Sequence, residues 1–165
     1  MISSQEISEI VEYGHVILEK MSPIYGGCLY ISALLVGVIN DNTELDAKLV
    51  TGSLAVEGVT IFSHSNISCV LSTDSDVSFS WNGHAWVSIS GIIFDFSLFK
   101  TICSDQTPEK ISDTFSTLFG SSSYLIGQPN KLSEIGVVYK QYEELTNSNV
   151  TTLIQSAERL GLIDC

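Results

Sequence analysis

Apolar residues recur at steps of three and four along the first part of the chain. They are Ile7, Ile10, Val11, Val16, Ile17 and Met21. This period predicts an amphipathic helix over residues 4–20, with one face turned toward a core. Ser3 or Ser4 is the expected N-cap residue, and Glu6 lies in the first turn.

A loop followed by a buried helix is predicted next. Pro23, Gly26 and Gly27 interrupt any regular element over residues 22–27. The following residues, 28–36, are apolar on almost every side. We therefore predict a buried helix that begins at or next to Cys28 and ends within the polar residues 40–46.

The middle of the chain has the composition of β-structure. Residues 47–62 are rich in Val, Leu, Ile and Thr and predict strand, and residues 77–99 alternate strongly around a hairpin turn at Ser90-Gly91. Between them, residues 63–76 are rich in Ser, Asn and Asp, which is typical of a mobile connection.

The last third of the chain is predicted to be mainly helical. Thr107, Pro108 and Glu109 indicate the start of a short helix. Residues 121–123 indicate a loop, residues 124–126 a late strand, and residues 132–145 and 150–160 two helices, the second closed by Gly161. The sequence thus predicts one α+β domain over residues 1–165, with N-terminal helices packed on an antiparallel sheet and a C-terminal helical part over residues 107–162.

Composition narrows the classes of partner. Of 165 residues, 44% are hydrophobic and 16% charged, which is enough for a packed core, and the net charge is −12. An acidic chain lacks the clustered Lys and Arg that grip phosphate backbones or anionic lipid, so we expect neither nucleic acid nor membrane as a partner. We expect a protein or peptide substrate, and the acidic surface favours a basic one.

The sequence also carries information on compartment. The N-terminus shows no basic segment followed by an apolar run, and the longest apolar run, residues 29–39, is far short of the ~20 residues of a membrane span. The four cysteines, Cys28, Cys69, Cys103 and Cys165, form no CxxC pair, which suits a reducing compartment. We expect a cytoplasmic protein, and export by a route without a cleaved signal stays open.

Cys28 is the first candidate for chemistry. At a helix N-terminus, free backbone N–H groups and the helix dipole favour a thiolate and can stabilise an oxyanion. Gly26 and Gly27 carry no Cβ, so the backbone of a substrate can approach the sulfur. The alternative is a small buried residue in a core helix, the usual place of a lone cysteine.

His84 and Asp95 are the second and third candidates. A two-residue turn at Ser90-Gly91 makes them diagonal neighbours on one face of a hairpin. The opposite face is wholly apolar and suits a core: Ala85, Val87, Ile89, Ile92, Phe94 and Phe96. A carboxylate in such an apolar strand needs a partner, and orienting an imidazole explains it. The alternative is an aspartate bonded to backbone N–H groups near a turn, with His84 half-exposed.

Several of these segments together resemble the bacterial transglutaminase-like superfamily. The matching pattern is Gly27-Cys28 before an apolar helix, residues 49–54, residues 83–87 (Gly-His-Ala-Trp-Val), and residues 91–97 (Gly-Ile-Ile-Phe-Asp-Phe-Ser). That superfamily shares a papain-like core with arylamine N-acetyltransferases and lasso-peptide maturation proteases. The match runs over residues 26–97; the long polar segment before His84 and the last third of the chain depart from the pattern.

The resemblance implies roles for individual residues. Cys28 would be the nucleophile, His84 the general base and acid, and Asp95 the carboxylate that orients the imidazole. Tyr25, Gly26 and Gly27 of the loop would contact substrate, and Trp86 would pack beside the site or shape it.

The sequence thus predicts a cysteine-dependent acyl-transfer enzyme that uses neither cofactor nor metal. His15, His64 and Cys69 have no zinc-site spacing. Hydrolysis of a peptide or side-chain amide is the preferred reaction, and transfer to an amine, as in a transglutaminase or acyltransferase, is the alternative. A non-catalytic binding or immunity-type protein on the same scaffold and an effector enzyme delivered to another cell also stay open.

Overall fold

The computed structural model describes residues 1–22, 27–71, 81–102 and 109–163, without the side chains of residues 69 and 70. The helices in these ranges are α1 (Ser4–Lys20), α2 (Cys28–Asn42), α3 (Ser68–Leu71), α4 (Leu98–Ile102), α5 (Glu109–Phe119), α6 (Pro129–Glu134) and α7 (Asn147–Arg159). The strands are β1 (Lys48–Val56), β2 (Val59–Phe62), β3 (His84–Ile89), β4 (Ile92–Asp95), β5 (Leu125–Gly127) and β6 (Val137–Glu144).

These strands form one open antiparallel sheet around β1. The order β2-β1-β3-β4-β5 forms its path, and β6 also pairs with β1. On β1, residues 50–56 pair with β6, residues 48–52 pair with β3, and residues 54–56 pair with β2. One edge of β1 is therefore covered by β6, and the other edge is shared between β3 and β2.

A hydrophobic cluster covers each face of the sheet. One cluster combines Ala85, Val87 and Phe94 with residues of α1, α2 and α7. The other combines Val50, Trp86 and Ile93 with residues of α4, α5 and α6. The fold is therefore α+β, with helices packed on an antiparallel sheet, and both faces of the β3–β4 hairpin are buried.

The elements that carry the candidate residues match their predictions. Helix α1 begins after Ser3, whose side chain and that of Glu6 form a capping box. Helix α2 begins at Cys28. The β3–β4 turn places Ser90 at φ 50° and Gly91 at φ 77°, as a type I′ turn requires, and pairs Ile89 with Ile92.

The helix predicted over residues 132–145 is wrong. Helix α6 ends at Glu134, and Gly136 adopts φ 84°, a conformation that suits glycine and ends the helix. The next residues, Val-Val-Tyr-Lys-Gln-Tyr, are rich in β-branched and aromatic side chains and form β6 against β1. Residues 107–162 therefore contribute two strands to the sheet as well as helices.

Strand β4 ends earlier than predicted. The strand predicted to continue to residue 99 stops at Asp95, because Asp95 accepts bonds from the backbone of the next turn and α4 begins at Leu98. Some predictions fall on residues that the structure does not describe. They concern residues 72–80, the helix start at Thr107-Pro108, Cys103 and Cys165.

Within the described ranges, every helix is too short or too polar to cross a membrane.

Gly52 lets β1, β3 and β6 come together beside His84. It pairs with His84 on one edge and with Gln141 on the other. A Cβ at this position would overlap the carbonyl oxygen of Lys140 and lie 2.8 Å from the ring of Trp86. A side chain at residue 52 therefore forces the backbone of β6 or the Trp86 ring to move.

We predict that Gly52→Ala lowers the free energy of unfolding by about 2 kcal/mol or more, because the added methyl meets backbone rather than a flexible side chain. Urea denaturation measures this. Gly37→Ala is the matched control, since its Cβ would lie 3.0 Å from the end of the Ile154 side chain, which can shift. The control should change stability by less than ~1 kcal/mol, and equal losses in both variants would contradict the prediction.

Candidate active site

Cys28 is the first residue of α2, at the positive end of a fifteen-residue helix. Gly27 occupies the N-cap position with no side-chain cap, and no acidic residue lies in the first turn. The dipole of the helix is therefore not neutralised by its own first turn, which favours negative charge at this end. The first N–H groups of a helix have no partner within the helix, so a helix N-terminus is a favourable place for a developing oxyanion.

His84 and Asp95 meet as the hairpin register requires. Nε2 of His84 lies 2.5 Å from Oδ2 of Asp95, and neither residue is exposed at all. Because the β3–β4 turn fixes which residues face each other, this contact follows from the same register that pairs Val87 with Phe94.

The Asp95 carboxylate accepts five hydrogen bonds. Its Oδ1 atom accepts from the backbone N–H of Ser97 at 3.1 Å, the Ser97 hydroxyl at 3.1 Å and the backbone N–H of Leu98 at 3.0 Å. Its Oδ2 atom accepts from His84 and from the Tyr139 hydroxyl, the latter at 2.8 Å. One oxygen thus bonds to the following turn, as in the structural alternative, while the other holds the imidazole. His84, however, is fully buried rather than half-exposed.

Cys28 lies beside the His84 ring. Its side chain is close enough to contribute to the raised pKa of the imidazole. Within the described residues, Nδ1 of His84 is buried and has no hydrogen-bond partner in this conformation. Because Asp95 holds Nε2, Nδ1 is the ring nitrogen not already bonded. The structure therefore brings together all three residues singled out as catalytic candidates.

Charge around the imidazole determines its protonation. Burial is the largest single effect and lowers the pKa of His84, but the charge and hydrogen bond of Asp95, with smaller contributions from Cys28, outweigh it and raise the pKa to about 10. Near neutral pH the ring is therefore an imidazolium between a carboxylate and a sulfur.

Three aromatic rings surround the imidazole. Phe62 stacks on it with 4.9 Å between ring centroids, while Trp86 and Tyr139 lie at 6.2 and 6.3 Å. Trp86 is 2% exposed, so it shapes the wall behind His84 rather than a surface open to solvent. The rings exclude water from the His84–Asp95 contact, which strengthens the electrostatic interaction.

Tyr139 and Phe62 were not among the residues predicted from sequence. Tyr139 lies on β6, the strand predicted as helix, so no argument from the sequence placed it near Asp95. Phe62 ends β2 beyond the Glu57-Gly58 turn, and its position next to His84 depends on β2 and β3 sharing one edge of β1.

Two of the predicted substrate-contacting residues, Tyr25 and Gly26, lie outside the described residues. Gly27 is the N-cap residue of α2, with φ −63° and ψ −5°. Cys28 itself is 3% exposed. The sulfur is thus enclosed in this conformation, and a substrate reaches it only after some rearrangement.

His64 belongs to a separate polar cluster. Its Nε2 atom lies 3.0 Å from Glu143 and 3.4 Å from the Thr51 hydroxyl, and its ring stacks on Tyr142. Burial alone raises the pKa of Glu143, but hydrogen bonds from Ile67 and Ser68 lower it overall. This cluster ties the segment before α3 to β6, and it accounts for His64 as a locally bonded residue.

Comparisons of the chain with protein-family models, curated proteins and solved structures find no match. The candidate site is therefore defined by its own geometry.

The His84–Asp95 pair should make stability depend on pH. Because the pKa of His84 is raised from 6.5 to about 10, its stabilising contribution is complete below pH 6.5 and is lost as pH rises toward 10. We predict that the free energy of unfolding falls by about 3 kcal/mol between pH 6.5 and 9. Denaturant titrations at a series of pH values measure this.

Asp95→Asn is the matched variant for this measurement. It keeps the shape of the side chain and removes the charge, so burial is then opposed only by the smaller contributions of Cys28 and the pKa of His84 falls. The decline above pH 6.5 should disappear in the variant. A decline of the same size in both proteins would show that another group causes it.

Proposed function

We propose that the protein is a cysteine-dependent acyl-transfer enzyme that uses Cys28, His84 and Asp95. The observation that carries the proposal is the fully buried imidazole of His84, held by Asp95 through Nε2 with the Cys28 side chain beside the ring. A buried carboxylate can be satisfied more simply by backbone N–H groups alone, as its Oδ1 atom is. A histidine that lies between the carboxylate and a cysteine at a helix N-terminus is an arrangement that activates the cysteine as a nucleophile.

The reaction begins with the proton already on His84. The Cys28 sulfur, as a thiolate, attacks the carbonyl carbon of an amide or thioester and forms a carbon–sulfur bond. Negative charge moves to the carbonyl oxygen, where first-turn N–H groups of α2 stabilise it. As the tetrahedral intermediate collapses, the imidazolium gives its proton to the leaving amine and the carbon–nitrogen bond breaks.

The second half of the reaction uses the neutral imidazole. His84 takes a proton from the incoming water or amine, which attacks the thioacyl carbonyl, and the sulfur leaves. With water the products are a carboxylic acid and the regenerated site, so the enzyme is a peptidase, amidase or deamidase. With an amine the product is a new amide, as in a transglutaminase or acyltransferase. We favour hydrolysis of a peptide or side-chain amide.

The same arrangement supports the finer description of the fold as a papain-like or transglutaminase-like core. A helix that begins at the nucleophile packs against the strand that carries the histidine, and the next strand carries the aspartate. The net charge of −12 favours a basic protein or peptide as substrate. We place the enzyme in the cytoplasm and assign it no cofactor.

One observation favours a second candidate, a non-catalytic binding or immunity-type protein on this scaffold. Cys28 is 3% exposed and His84 is fully buried. An open cleft at the sulfur is the feature that separates an enzyme from a scaffold in a resting structure. In the enzyme, the enclosure must open for substrate; in the scaffold, it does not need to.

Acylation of Cys28 tests the proposal. We predict that p-nitrophenyl acetate adds one acetyl group to Cys28, detected by intact mass and located by peptide mass spectrometry, and that the adduct is lost to water. Cys28→Ala should carry no adduct at that peptide. His84→Ala should react at least ~100-fold more slowly, because the general acid-base group is gone.

His15→Ala is the matched control for His84→Ala, because His15 is an exposed residue of α1. The control should acylate at the wild-type rate. Added glycine ethyl ester distinguishes transfer from hydrolysis, since transfer of the acetyl group yields N-acetylglycine ethyl ester, whereas hydrolysis yields acetate. Acylation of Cys28 no faster than that of Cys69, Cys103 or Cys165 would contradict the enzyme and leave the scaffold.

A further inference from the structure

Tyr139 connects a third strand to the His84–Asp95 pair. Its hydroxyl donates a hydrogen bond to Oδ2 of Asp95 at 2.8 Å, and that same oxygen lies 2.5 Å from Nε2 of His84. In the sheet, β6 is separated from β4 by β1 and β3. Three strand spacings amount to about 14 Å on a flat sheet, so the Tyr139 side chain reaches Asp95 past two intervening strands.

Tyr139 lies among the aromatic side chains around the pair. Its ring centroid is 6.3 Å from that of His84. Tyr139 packs edge-on against Trp86 with 5.0 Å between centroids. The phenol is therefore held by ring packing as well as by its hydrogen bond to Asp95.

The position of the carboxylate does not depend on Tyr139. Three donors from Ser97 and Leu98 hold Oδ1, so Asp95 stays in place without the phenol. What the phenol changes is the charge on Oδ2, the atom that faces the imidazole. A hydrogen bond to a carboxylate oxygen draws off part of its negative charge and weakens it as a partner for a second donor.

Among the described residues, few other groups around His84 can change the pKa of its imidazole. The titratable ones are Asp95 from β4, Cys28 from α2 and Tyr139 from β6, while Phe62 and Trp86 contribute uncharged rings. Burial and the nearby Asp95 raise the pKa of Tyr139 well above its usual value, so the phenol stays a hydrogen-bond donor over the working pH range.

We propose that Tyr139 is a positioning residue of the acyl-transfer site, which acts through Asp95: by sharing Oδ2 with His84, its hydroxyl weakens the hold of the carboxylate on the imidazole proton. This rests on the proposed function, in which His84 must pass that proton to the leaving amine. An imidazolium bonded to a buried carboxylate that keeps its full negative charge is a poor acid. Catalysis is most efficient when the donor releases its proton near the working pH.

Tyr139→Phe tests the role of the hydroxyl, because it removes one oxygen and keeps the ring. The variant should titrate His84 at a higher pH than the wild type, by about one unit, followed through the ring nitrogens by ¹⁵N NMR. Tyr142→Phe is the matched control: it removes a phenol from the same strand, and its ring contacts His64 and Lys140 rather than the site. The control should leave the His84 midpoint unchanged.

An unchanged or lowered midpoint in Tyr139→Phe would overturn the proposal, as would an equal rise in Tyr142→Phe. If the variant does not fold, the wild type still answers the question. The Cζ resonance of Tyr139 should then move at the same midpoint as His84, because coupling through Asp95 is reciprocal; a resonance that does not move contradicts the coupling.

The outcome of this experiment can be distinguished from failure of the proposed function. The His84 midpoint is measured on the protein alone, without substrate or acyl donor. Loss of Cys28 acylation in the wild type overturns the enzyme itself. Normal acylation together with an unshifted His84 midpoint in Tyr139→Phe overturns only the role of Tyr139.

Discussion

The burial of an aspartate inside a hydrophobic hairpin is the constraint on which the rest of the site depends. Asp95 has no exposed surface, and an unpaired carboxylate in that position would destabilise the fold by several kcal/mol. Five donors satisfy it, and they come from the following turn, from β3 and from β6. Whatever holds Asp95 in place therefore also fixes the His84 ring, beside which Cys28 lies.

The part of this arrangement that is local in sequence could be predicted. The Ser90-Gly91 turn sets the register of the hairpin, and the register alone brings His84 to Asp95. The start of α2 at Cys28 follows equally from local signals, a glycine-rich segment followed by an apolar run. Their meeting is not local, and it was suggested by the chemistry that a cysteine, a histidine and an aspartate share and by the resemblance to transglutaminase-like proteins.

The part that depends on long-range pairing could not be predicted. Residues 137–144 contain apolar and polar residues that fit a helix as well as a strand, and pairing with β1 decides between them. Because residues 137–144 were predicted as helix, no argument from the sequence placed Tyr139 near the site. Phe62 was missed for a similar reason, since its contact with His84 depends on how two strands divide one edge of β1. In both cases the missing information was which strands are neighbours.

The central claim is that His84 activates Cys28 as a nucleophile, and the rate of Cys28 alkylation against pH tests it most directly. Iodoacetamide labelling, read by peptide mass spectrometry in the wild type and in His84→Ala, compares the pair with the isolated thiol. The account predicts fast labelling below pH 7 in the wild type that is lost in the variant. Labelling that begins only near the ~8.5 of a free thiol, and equally in both proteins, would contradict it.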